Sequence, residues 1–150
     1  VRFIMVGGLA VVAHGYGRLT QDVDLVLDLE SDAVRRAFDA LGSLGYRPRV
    51  PVNAAGLADP AQRERWIQDK GMTVLNFDSD AHRDTPIDVF VTEPFEFDEE
   101  YTSSQILEIA PGVEVHVVRL MTLLRMKDAA GRPQDVADAH ELRRLHGEAQ

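Results

Sequence analysis

Apolar and polar positions along the chain switch repeatedly between a period of two and a period near four. "RFIMV", Arg2 to Val6, is a short apolar run ended by Gly7-Gly8, and "LAVVAHG" has the composition of a short helix closed by Gly15. The pattern predicts strand, tight glycine turn, helix. From Asp22 the period is two. Val23, Leu25, Leu27 and Leu29 fall on one face of a strand and Asp22, Asp24, Val26 and Asp28 on the other, giving one buried face and one acidic face. Ser31 or Asp32 is placed to cap a helix whose Val34, Phe38, Leu41 and Leu44 keep helical spacing, with Gly45 as its stop. "YRPRVPV" reads as extended, and Asp59-Pro60 opens a short helix through Trp66. Two strands follow, "MTVLNF" from Met72 and "PIDVFV" from Pro86; in the second, Ile87, Val89 and Val91 face away from Asp88 and Phe90. After "GVEVHVV" from Gly112, a helix runs from Leu120 to about Ala130, "GRP" breaks it, and Pro133 starts a last helix to about His146. Strands alternating with helices, and two helices after the last strand, predict an α+β domain, α/β-like in its alternation, built on a mixed sheet.

Length and composition keep this to one unit. The chain has 150 residues, 45% of them hydrophobic, without an internal repeat or a low-complexity linker. A single domain over 1–150 is expected, with a core over about 1–118 and a helical part over about 119–150. The formal net charge of -9 repels nucleic acid and anionic membranes on average. With no cysteine there is neither a disulfide framework nor a thiolate zinc site. No apolar run approaches the roughly 18 residues that span a bilayer, and "VRFIMVGG" is too short and too soon polar for a signal peptide. A soluble, cytoplasmic protein without a membrane partner is the expectation.

Asp22 and Asp24 raise a physical question, because two like charges separated by one residue project from the same face of a strand about 7 Å apart. A divalent cation between them removes the repulsion, and magnesium prefers one or two carboxylates completed by water and phosphate oxygens. The plain alternative is a solvated strand start. Asp88 changes the balance: its neighbours Ile87 and Val89 are apolar, so it belongs to the opposite face of its strand. If that strand lies beside the first and in register, three carboxylates come together, a set that suits two metals about 3.5–4 Å apart. Gly7-Gly8 complements them, since a glycine turn into a helix lets backbone N–H groups approach an anion. It is neither a Walker loop nor a G-x-G-x-x-G fingerprint.

Taken together, Val6-Gly7-Gly8, a spacer of thirteen residues and Asp22-Val23-Asp24-Leu25 resemble the signature of the polymerase-beta-like nucleotidyltransferase superfamily. That signature is an apolar residue, a glycine followed by glycine or serine, a spacer, and acid-apolar-acid-apolar, with a third acid on a later strand. Asp88 fills the third place. "GGLAVVAHGYGRLTQDVDL" and "LLRMKDAAGRPQDVADAHEL" look most like bacterial AbiEii-type nucleotidyltransferases, which include toxins of toxin–antitoxin pairs; the middle of the chain, about 31–85, is generic. The resemblance implies that Asp22, Asp24 and Asp88 hold two magnesium ions as the catalytic carboxylates. It also implies that Gly7 and Gly8 bind a nucleoside triphosphate such as ATP. Related enzymes usually carry a helix ahead of the first strand, which this sequence does not show.

Lys127 falls in the middle of the apolar stripe of Leu120, Leu123, Leu124 and Ala130, so it must snorkel or meet an anion. By resemblance that anion is the nucleotide's phosphates, and Arg18 is a second candidate for them. Asp135 and Asp138 share a face with Leu142 and Leu145 and are expected to be structural, one of them pairing with Lys127 or Arg132. Five histidines show no metal spacing, and His14 is expected to be a hydrogen-bonded structural residue. Trp66 is expected in the core. The acceptor implied is an RNA end or a partner protein. A cationic drug such as an aminoglycoside or lincosamide is the alternative, and a non-catalytic nucleotide-binding or antitoxin-interacting module is a third.

Overall fold

The protein was analysed as a computed structural model that describes residues 1–147, so the last three positions of the expected helical part lie outside the described residues. The first half of the chain forms β1 (Phe3–Val6), α1 (Gly7–Ala13), β2 (Val23–Leu27), α2 (Ser31–Ser43), β3 (Tyr46–Pro48), α3 (Ala54–Ala58) and α4 (Pro60–Lys70). The second half forms β4 (Val74–Ser79), β5 (Ile87–Phe90), α5 (Phe97–Ser103), β6 (Gln105–Ala110), β7 (Val113–Val117), α6 (Leu120–Ala130) and α7 (Pro133–His146). All the strands join one sheet in the order β3-β4-β5-β2-β1-β7-β6. β2 runs parallel to β5 and β1 parallel to β7, while the other neighbours are antiparallel. This is an α+β fold on a mixed sheet with two helices after the last strand.

Two apolar clusters hold the sheet between helices. Ile4, Val6 and Val26 pack with Ala10 and Val11 of α1, Leu123 and Leu124 of α6, and Ala139 and Leu142 of α7. Leu27, Leu75, Phe77, Ile87 and Val89 pack with Val34, Ala37 and Leu41 of α2, Leu57 of α3 and Trp66 of α4. Trp66 is therefore core, as expected.

β2 contributes to both clusters, which corrects the expectation of one buried and one acidic face. Val26, placed on the acidic face, is 1% exposed because α1, α6 and α7 cover that face of the sheet. Only the start of the strand stays polar. Asp22 itself precedes β2, whose pairing begins when Val23 N–H donates to the Pro86 carbonyl at 3.0 Å.

Several boundaries shift for local reasons. α1 follows β1 with no separate turn, because Gly7, at φ +66°, bends the chain within a single residue. Glu30, not Ser31 or Asp32, caps α2; its longer carboxylate accepts from the Asp32 and Ala33 N–H groups. α4 runs past Trp66 until Gly71 closes it in a left-handed conformation. Leu145, expected to face inward, is largely exposed. α3, α5 and β6 were not among the expected elements.

Candidate active site

Asp24 and Asp88 are register partners on adjacent parallel strands, with Asn76 of β4 paired to Asp88 on its far side. Parallel neighbours lie about 4.8 Å apart, so both carboxylates leave the same face of the sheet side by side. They open into a cleft of about 1350 Å³ bounded by the start of α1, the end of β5, the start of α5, and α6. Asp22, exposed at the approach to β2, lies at its mouth.

Gly7 is required by contact as well as by conformation, and Gly8 by contact alone. A Cβ on Gly7 would run into the Asp24 carboxylate, and one on Gly8 into the Thr20 hydroxyl, with Arg18 Nη2 at 3.3 Å. Bare backbone is the only material that fits between the carboxylates and the loop ahead of β2. The Gly8 N–H faces Asp24 closely enough to favour its charged form.

Burial raises the Asp24 carboxyl to about 6, and the neighbouring Asp88 and Asp22 charges add to the rise. Lys127 and the Gly8 N–H oppose it without cancelling it. Asp88 accepts a hydrogen bond from the Asn76 side-chain amide. Among the described residues, no group of three or more His, Asp or Glu side chains stands close enough together to hold an ion unaided. The donor set nonetheless fits magnesium, a hard cation that takes one or two carboxylates and fills its other positions with water and phosphate oxygens. Two adjacent carboxylates whose repulsion is only partly answered by Lys127 and Asn76 have the chemistry such an ion needs.

Lys127 is 8% exposed and lines the same cleft, with Nζ 3.1 Å from Asp135 and 2.9 Å from Asp138. Asp135 and Asp138 are buried to 2% and 0% exposure. Arg18 meets Asp138 through two hydrogen bonds, Nε at 2.8 Å and Nη2 at 2.9 Å. Burial alone would push both carboxyls up, but Arg132 and Lys127 outweigh it at Asp135, and Arg18, Lys127 and Gln134 do so at Asp138. Both acids are held below their ordinary range. The expected pairing of Lys127 with the α7 acids is thus present, and Arg18, chosen as a phosphate ligand, lines the cleft with its charge answered by Asp138. His14 is hydrogen-bonded to the Val118 carbonyl at 2.7 Å.

One network escaped the sequence analysis. Glu100 of α5, 1% exposed, accepts from the Arg119 backbone and guanidinium and from the Thr122 hydroxyl, and Arg125 donates to that hydroxyl at 3.2 Å. It fixes the start of α6 against α5 along the cleft wall. The i, i+3, i+4 spacing of Phe97, Glu100 and Tyr101 was the signal that could have revealed α5.

In comparisons with known proteins, no family model and no curated protein matches this chain. Among the described residues, no helix is long and apolar enough to cross a membrane.

Proposed function

We propose that the protein is a magnesium-dependent nucleotidyltransferase of the polymerase-beta-like kind. It would move a nucleoside monophosphate from a nucleoside triphosphate such as ATP to an acceptor hydroxyl. The observation that carries this is the register pairing of Asp24 with Asp88 directly beneath the Gly7-Gly8 start of α1. Asp22, Asp24 and Asp88 would hold the magnesium, which when bound neutralises phosphate charge and polarises the α-phosphorus. Gly7 and Gly8 bring bare backbone up against Asp24 and Thr20 at the side of the cleft, and Lys127 extends a positive field into the cleft from its seat between Asp135 and Asp138. The acceptor oxygen bonds to the α-phosphorus as the bond to pyrophosphate breaks. One of the carboxylates takes the acceptor's proton, and pyrophosphate leaves with the electron pair. The AbiEii-like motifs support an RNA end or a partner protein as acceptor in a toxin–antitoxin setting in the cytoplasm. Glu96 and Glu99, exposed at the cleft rim, favour a cationic small molecule as the second reading.

The test is transfer of α-labelled triphosphate, each base in turn, into RNA, protein and aminocyclitol pools. Wild type should label one pool, and Asp24→Asn or Asp88→Asn should lose more than about a hundredfold in rate while melting as cooperatively as wild type. Equal labelling by wild type and both variants would remove these carboxylates from the chemistry. Binding of magnesium and nucleotide with no labelled pool would favour the non-catalytic module.

A further inference from the structure

The two edges of the sheet are built differently. At one edge β3 has three residues, with Arg47 at its centre, Pro48 at its end and Arg49 just after it, so it offers little to a passing strand. At the other edge β6 has six residues, "QILEIA", with no proline or lysine, and five of the six are exposed. Ile106 is 54% exposed, Ile109 59%, and Val113 on β7 48%. Glu108 lies directly opposite Glu114, and among the described residues neither carboxylate has a hydrogen bond or an ion pair. Like charges in facing positions destabilise a strand pair unless a cation answers them.

We propose that β6 is a docking strand for a partner protein. The partner would add an antiparallel or parallel strand in which lysine or arginine alternates with apolar residues. Its backbone would pair with the open edge of β6, its cations lying on the face that Ile106 and Glu108 share, with their alkyl stems over Ile106, and its apolar side chains lying beside Leu107 on the other face. Its cations would neutralise Glu108 and Glu114. Charge selects this occupant over a second copy of the chain, because β6-to-β6 pairing would gather two Glu108 and two Glu114 side chains from molecules that each carry a net charge of -9.

The test uses the ¹⁵N-labelled full chain and two capped peptides of matched length, one alternating lysine with valine and one glutamate with valine. The lysine peptide should slow amide exchange in residues 105–110, shift resonances of 105–110 and 113–116, and bind about fivefold to tenfold tighter than the glutamate peptide. In the double variant Glu108→Gln/Glu114→Gln, which should melt no lower than wild type, that preference should fall to near parity. The proposal is overturned if the two peptides bind wild type alike, if β6 amides gain no protection, or if the shifts are confined to the cleft. A β6-mediated dimer of the free protein in sedimentation would equally overturn it.

Discussion

Asp24 bears most of the tension in the site. Its carboxyl sits near 6 against an ordinary 3.8, so between those values the folded state binds more protons than the unfolded state. The contribution of this group to stability is therefore highest below about pH 4 and is lost as pH rises through 6. For metal-free protein, Asp24→Asn should remove that decline and raise stability at pH 7 by on the order of 1–2 kcal/mol, discounted for partial exposure. Urea titrations at a series of pH values check both the sign and the window. Gly7 gives a companion experiment. Gly7→Ala forces an L side chain to φ +66° and into the Asp24 carboxylate, whereas Gly131→Ala meets φ +65° with nothing nearer than 3.8 Å. The Gly131 change should cost about 1 kcal/mol and the Gly7 change at least about 2 kcal/mol more. Equal costs would mean that the carboxylate does not crowd the glycine. The sequence revealed these residues because spacing alone implied that two acids share a face. It could not reveal that Gly7 and Asp24 touch, since that depends on β1 pairing with β2 so that Val6 meets Asp24.

The helices and strands that the sequence predicted best are those whose apolar period matches a buried face and whose ends carry punctuation. α6 and α7 match to the residue, with Gly131 closing one in a left-handed conformation and Pro133 opening the other. What stayed hidden had weak local patterning: α3 is five residues long, and β6 has only Leu107 packed inward, too little to show an alternation. The acidic face predicted for β2 failed at Val26 because α6 and α7, far along the chain, cover that face, which local period does not show. The α6–α7 pair also carries its own stability test. Lys127→Met removes the cation shared by two buried acids, each of which keeps a partner, Arg132 for Asp135 and Arg18 for Asp138. The expected loss is about 3 kcal/mol, roughly 6–12 °C in melting temperature. An unchanged melting curve would show that Arg18 and Arg132 suffice.

For the molecule as a whole, the proposed ligands should act jointly. At a hundred times its dissociation constant, a non-hydrolysable triphosphate with magnesium should stabilise the fold by about 2.7 kcal/mol, and the triphosphate with chelator by much less. Asp24→Asn should lose most of the difference, as read by thermal melting. If magnesium made no difference to nucleotide stabilisation, the carboxylates would not be completing their coordination with phosphate. The contact between Arg18 and Asp138 joins positions 120 apart in the chain. During synthesis both acid-bearing strands are therefore complete long before the helix that anchors their neighbouring cations has been made. A nascent chain would carry Asp22, Asp24 and Asp88 while Arg18 and Lys127 still lacked their counter-ions and the cleft still lacked a wall. A protease cut between α6 and α7 would leave every proposed catalytic carboxylate in place while the counter-ions of Arg18 and Lys127 were held to the rest of the molecule by packing alone.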